Sequence, residues 1–286
     1  MSLPRLPRLP RLAGHLGVRA PDAPLLRGIA GATDPLAQIA LFATLGFAGV
    51  ADNYLALRAP ELQARIGAAV ADHGLEMGGF VHDPLRWDAP AWIDGSALDA
   101  LDATLAAAAR TGSRAVTCVT GRLPAMDLAV QYQAMAGNLA RAADRAGRVG
   151  VTLCVEATHP AFAPGLLIER LCQALTVVRA ANHPFVRIDL DLGHVALHGD
   201  DPVAAIAAAG ALIGMVQIAD VPGRVEPGAG MLDWPAIFAG LAEAGFTGLA
   251  ELELEPAAPG AAGERAMLAR LTRLGLLQKE KPTSIP

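Results

Sequence analysis

The sequence predicts an α/β fold, a single (β/α)8 TIM barrel, and three observations carry that expectation. Short apolar runs rich in Val, Ile and Leu alternate with longer Ala/Leu/Arg segments of helical period along the whole chain. The length, 286 residues, suits one barrel of alternating strands and helices. An open doubly wound sheet usually carries a Gly-rich dinucleotide loop after its first strand, and Gly14, Gly17, Gly28 and Gly31 do not make a G-x-G-x-x-G.

Taken in order, residues 1–13 hold three Pro-Arg-Leu triplets, which break any apolar run, so this stretch reads as a semi-extended, flexible arm instead of a secretory segment. The barrel domain is expected over 14–278 and a short tail over 279–286. Strands are expected near 14–18, 47–52, 75–81, 114–120, 151–156, 185–191, 213–218 and 248–254. Helices fit between them near 34–45, 60–73, 96–111, 127–149, 164–181, 201–210, 233–244 and 261–276. Thr33-Asp34-Pro35 gives the first of these a cap and a first-turn proline, and Asp200, Asp201 and Pro202 do the same for the sixth. Gly46, Gly74, Gly112, Gly150 and Gly245 stand where helices should stop. The stretch 82–95, with Trp87 and Trp92, follows the third strand and so lies over the mouth of a barrel, as a structural loop or a substrate lid.

Composition narrows the function. The chain is 53% hydrophobic and 18% charged, enough to bury a large core, and its net charge of -5 offers no electrostatic footprint for nucleic acid or an anionic membrane surface. The uncharged run 202–219 reads as helix, turn and buried strand because it contains Gly210, Gly214 and Gln217. Cys118, Cys154 and Cys172 are odd in number and widely spaced, which fits reduced thiols in a cytoplasmic protein. The only lysines are Lys279 and Lys281 in the tail, so Schiff-base chemistry in the barrel has no candidate residue. The Ala/Leu helices are compatible with a homodimer.

The period-two pattern of the last four strands locates a site. In the fifth strand Val151, Leu153 and Val155 share the helix-facing side, which turns Glu156 inward at the C-terminal end. The same parity turns Arg187, Asp189 and Asp191 inward on the sixth strand, with Arg187 placed deeper and facing Asp189 as its partner. Gln217 is inward on the seventh strand; Glu251, Glu253 and Glu255 are inward on the eighth. Carboxylates crowded at one end repel one another and raise each other's pKa unless a cation lies among them. An all-oxygen set suits one hard divalent ion, Mg2+ or Mn2+, better than zinc. The competing reading is a closed ion network with Arg187 or Arg224 as counter-charge. His82, His159 and His198 read as exposed loop histidines.

The run VQIADVPGRVEPGAGMLDW (216–234), the Asp-x-x-His from Asp191 to His194 and the Glu-x-x-Pro from Glu253 to Pro256 resemble the xylose isomerase-like barrel superfamily, and within it the hydroxypyruvate isomerase branch. The likeness is strong over roughly 150–256 and weak before Leu45. It implies Glu156, Asp191, Gln217 and Glu253 as metal ligands, Glu156 and Glu253 also as the acid/base pair, and His194 and Arg224 as contacts to substrate oxygens. It also favours Glu253 over Glu251. Met231, Ala51 and the Glu-Ala-Thr-His at the end of the fifth strand depart from the branch's pattern and leave the substrate open.

The function so implied is metal-dependent isomerisation of a small sugar or keto acid through an enediolate, with two glutamates moving the proton. A sugar 3-epimerase or a polyol or keto-acid dehydratase uses the same scaffold, although the epimerases usually carry histidine where Gln217 stands. An apurinic-site endonuclease needs a histidine-rich multi-zinc site and a basic groove, which seven histidines and a net charge of -5 do not supply. The remaining reading is a barrel that binds a sugar without turnover.

Overall fold

The computed structural model describes residues 10–277. Nine parallel strands form one sheet: β1 (Arg11–His15), β2 (Gly49–Ala51), β3 (Glu76–Met77), β4 (Phe80–Val81), β5 (Ala115–Cys118), β6 (Thr152–Glu156), β7 (Val186–Asp191), β8 (Ile213–Ile218) and β9 (Leu249–Leu252). Their spatial order is β3-β2-β1-β9-β8-β7-β6-β5-β4. The two ends of that order, β3 and β4, are consecutive halves of one segment joined through Gly78 and Gly79. They act as the third stave of an eight-stave barrel, and the sheet closes on itself there. Gly78 N–H donates to Val50 O (2.7 Å) on one side, and His82 N–H donates to Thr117 O (2.9 Å) on the other. A Cβ on Gly79 would lie 2.1 Å from Met215 Cε, and one on Gly78 would lie 2.5 Å from Glu251 Oε1. Both glycines thus make room for side chains that reach across the barrel interior.

The helices form the outer layer and bury one face each. The Asp34 carboxylate accepts from Ala37 N–H (2.9 Å) and Asp201 from Val203 N–H (3.0 Å), each followed by the helix-starting proline. Leu128–Arg148 buries Met135, Leu139, Ala142 and Ala146 along one stripe. The core between helices and staves includes Phe42, Phe80, Trp92, Leu101 and Trp234, all essentially inaccessible. No helix among the described residues is long and apolar enough to cross a membrane.

The first strand and one helix depart from expectation. Strand β1 starts at Arg11, so residues 11–13 belong to the barrel and not to an arm; Ala13 pairs with both Gly49 and Glu251. The apolar run at 14–18 drew the expected boundary too late, because the third triplet, Pro10-Arg11-Leu12, runs directly into a strand that alternates only weakly. Residues 1–9 and the tail 279–286 lie outside the described residues. The helix expected over 164–181 begins at Leu171, because Gly165 has φ +86° and Gly121 bridges to Leu166, which keeps 164–170 out of the helix. In 82–95, a short helix (Ala91–Asp94) buries Trp92.

Candidate active site

The C-terminal ends of β6, β7, β8 and β9 converge on one cavity of about 260 Å3, lined among others by Glu156, Thr158, His194, Arg224 and Glu253. Register sets this up. Asp189 lies between Glu156 and Met215, and Gln217 lies between Asp191 and Glu251, so two successive inward rows run across these staves. Glu253 sits just past the end of β9, where its N–H donates to Glu251 O (3.0 Å).

Glu156, Asp191 and His194 each offer a ligand atom, and these atoms lie within 4.8 Å of one another. His194 Nε2 is 3.6 Å from Glu156 Oε1 and 3.9 Å from Asp191 Oδ2. The Asp191 carboxylate also caps the short helix Leu192–Leu197, accepting from His194 N–H at 2.8 Å. This cap is why the Asp-x-x-His spacing brings the two side chains into one cluster. Glu253 stands apart from that cluster, held by Asn53 Nδ2 at 2.6 Å and by Arg224. The buried Gln217 amide lies beside Asp191, and its Oε1 has no hydrogen-bond partner among the described residues.

Arg224 takes a position that the sequence left between two roles. Its guanidinium donates to Asp191 Oδ1 (3.0 Å) and Oδ2 (2.7 Å), and to Glu253 Oε2 (2.9 Å) and backbone O (2.9 Å). It therefore supplies the counter-charge of the competing ion-network reading to Asp191 and Glu253, but it makes no hydrogen bond to Glu156. Arg187 does not do so: it turns to His183 O and Val186 O, while Asp189 accepts from the Thr117 hydroxyl at 2.7 Å. The expected Arg187–Asp189 pair is absent among the described residues, because the long arginine stem reaches back to the start of β7 instead of along its row.

Electrostatics separates the carboxylates. Burial, and then Asp189, Glu253 and Asp191 nearby, push the Glu156 carboxyl well above the usual range. Burial lifts Glu253 to about 7 even with Arg224 pulling the other way. Burial acts on Asp191 too, but the Arg224 guanidinium outweighs it and holds that carboxyl below the ordinary range. Burial lowers His194 to about 4, so its ring is neutral at pH 7 and can offer a lone pair.

These residues fit a divalent cation. Among the described residues the Glu156 carboxylate makes no hydrogen bond, Gln217 Oε1 is orphaned and buried, and a neutral imidazole faces both Glu156 and Asp191. The donor set is mostly hard oxygen, with His194 added to the ligands that the sequence supplied.

The signature loop proves to be scaffold in large part. Asp220 is fully buried, and its carboxylate accepts from the N–H groups of Val221 (2.9 Å), Gly228 (2.9 Å), Gly230 (3.0 Å) and Leu232 (3.1 Å) and from Trp234 Nε1 (2.8 Å). A Cβ on Gly230 would lie 2.3 Å from Asp220 Oδ1, so glycine is required for the wrap. Glu226 accepts from Ala257 N–H (2.8 Å) and pairs with Arg270, fastening this loop to the one that carries Glu253. Together these bonds aim Arg224, whose φ is +53°, into the cavity.

Several neighbours were missed. Asn53 follows Asp52, which is buried against Arg58 and does not enter the cluster. Phe162 stands under both Arg224 and His194, with centroid distances of 5.5 and 5.7 Å. His82 is buried, not exposed: Thr104 Oγ1 lies at 2.9 Å and Ala97 O at 3.0 Å. His159 and His198 are half-buried instead of exposed and pack against each other, ring centroids 4.4 Å apart and planes tilted by 48°. A single Asn or Phe in a loop carries no pattern by which sequence could single it out.

Residues 39–271 match the family described as Xylose isomerase-like TIM barrel. The chain belongs to this family. A putative hydroxypyruvate isomerase of Streptomyces coelicolor is 35% identical over 150 residues, 51% of this chain and 54% of the relative. The chain thus spans about half the length of that relative. A 2-oxo-tetronate isomerase of Cupriavidus necator is 29% identical over 213 residues, 72% of this chain and 80% of the relative. Among solved structures, a family 2 AP endonuclease from Brucella melitensis superposes with a TM-score of 0.78 at 26% identity, covering 93% of this xylose isomerase-like chain and 99% of the other.

Proposed function

We propose that this xylose isomerase-like barrel is a metal-dependent isomerase of a small hydroxy-carbonyl compound, with Glu156 and Glu253 as its acid/base pair. The observation that carries the reading is that these two glutamates, one buried and one largely so, line one cavity and both have raised pKa values. A carboxyl near 7 is matched to taking and returning a proton at neutral pH. The names of the Streptomyces coelicolor and Cupriavidus necator relatives support the same reaction class.

Glu156, Asp191 and Gln217, with Glu253 or His194, would hold Mg2+ or Mn2+, which when bound polarises the substrate carbonyl and offsets charge developing on its oxygen. The chain's own residues do the rest. One glutamate takes the proton from the carbon beside the carbonyl, giving an enediolate. The other, carrying its proton because burial favours the neutral acid, delivers it to the former carbonyl carbon, while the hydroxyl proton passes to the former carbonyl oxygen. Arg224 and neutral His194 orient substrate oxygens between them, and Phe162 shields that corner from water. Asn53 fixes the Glu253 carboxylate.

The test is to incubate pure protein with hydroxypyruvate, with four-carbon 2-oxo acids and with neutral ketoses, and to identify products by NMR with and without a chelator. Interconversion that stops on chelation and returns with Mg2+ or Mn2+ is expected. Full activity in the chelated protein, or a dehydrated or epimerised product in place of an isomer, would sink the proposal.

A further inference from the structure

The wall of the cavity carries one cation that the acid/base machinery leaves unused. Arg19, on the loop after β1, lines the same cavity as Glu156 and Glu253. Its guanidinium lies 5.9 Å from the Phe162 ring centroid, and Arg224 lies 5.5 Å from the same ring. Among the described residues no carboxylate pairs with Arg19, and its side chain makes no hydrogen bond. Its backbone, by contrast, is firmly held. The Tyr54 hydroxyl donates to Arg19 O (2.6 Å), Asn53 Nδ2 to Val18 O (3.2 Å) and Arg58 to Pro21 O (3.0 Å). The β2 loop thus fixes the β1 loop so that an exposed arginine faces the mouth and not bulk solvent alone.

Charge explains what it is for. Arg224 is already paired with Asp191 and Glu253, whereas Arg19, on the same cavity wall, has no carboxylate partner among the described residues. Arg19 is thus an unanswered positive charge at the cavity wall. A neutral ketose leaves it unanswered; a substrate with one carboxylate answers it, and a planar guanidinium is well suited to receive that carboxylate through two parallel hydrogen bonds.

We propose that Arg19 receives the carboxylate of an anionic hydroxy-keto acid and sets the preference of this site for acids over neutral sugars. The assignment rests on the isomerase reading for its substrate but not for its test. Two inert ligands of the same size, glycerate and its amide, differ only in charge. Binding of each to Mg2+-loaded protein is measured by calorimetry for the wild type, Arg19→Gln and Arg19→Lys. The wild type should prefer glycerate. Arg19→Gln should weaken glycerate by about 10–100-fold, the usual weight of a charge-assisted hydrogen bond, and leave the amide unchanged. Arg19→Lys should recover part of the loss. With hydroxypyruvate, Arg19→Gln should raise KM and leave kcat nearly unchanged. A wild type that binds glycerate no better than the amide, or an Arg19→Gln variant that weakens both equally, overturns the proposal. If glycerate preference follows Arg19 but no 2-oxo acid is isomerised, the anion subsite stands and the isomerase reading falls.

Discussion

At pH 7 a Glu253 carboxyl lifted to about 7 is divided between base and acid, which is the condition for shuttling a proton. Glu253→Gln keeps the bond from Asn53 possible and removes that capacity, so solvent-deuterium uptake at the substrate carbon should fall by about 10²–10⁴-fold. Arg224→Met tests the ion pairing from the other side. It strands Asp191 and Glu253 in a buried site, and in chelated protein it should cost about 3–5 kcal/mol, seen as a lower Tm. Added Mn2+ should raise the Tm of this variant more than that of the wild type, because the cation takes over the lost counter-charge. Glu251 carries a pH signature of its own. Burial raises it from 4.5 to about 7 while it accepts from Gly79 N–H at 2.7 Å. The fold favours the protonated form, so this stability is fully present below the unfolded value and is lost as pH rises from about 4.5 to 7, on the order of 3 kcal/mol. Glu251→Gln should flatten the fall in Tm measured between pH 5 and 8. The inward parity of Glu156, Asp191, Gln217 and Glu251 was legible because a strand has only two faces. The partner each would choose was not, because a long side chain such as Arg187 or Arg224 can reach several acceptors from one Cα.

Elements were legible where local chemistry is stereotyped. Asp-Pro starts at Asp34 and Asp201 produced capped helices where expected. The stretch 164–170 was not, since a bridge from Gly121, distant in sequence, overrides its apolar content. The loop 221–233 is the element on which the site most depends. Its shape comes from one carboxylate, Asp220, wrapped by four backbone N–H groups and an indole. Gly230→Ala would push a methyl group into that carboxylate, with an overpacking cost of about 1–3 kcal/mol. The expected result is loss of amide-exchange protection at Gly228 and Leu232, with the far helices unaffected. The motif therefore identified the family reliably while concealing that most of its residues build a scaffold, and that Arg224 alone among them lines the cavity.

Across the whole molecule, barrel closure was legible from the count of strand and helix signals, whereas the split third stave was not. Gly78-Gly79 reads as a weak spot in a strand, and only the side chains of Met215 and Glu251 across the interior explain it. Cys118 and Cys154 are fully buried, the first between sheet and helices and the second in the barrel interior, and burial pushes both thiols far up, while Cys172 is exposed on a helix. Native protein should therefore release one fast thiol to a disulfide reagent and all three after denaturation, so the two slow ones report global opening. Finally, Arg11–Ala13 take their places beside Leu249–Glu251. The ring is thus clasped by the earliest and the latest staves to leave the ribosome. Until Leu249 has been synthesised, β1 and β8 each offer a bare flank of unpaired peptide groups to any passing strand. Nascent chains that stall shortly before that point are those most in need of a chaperone.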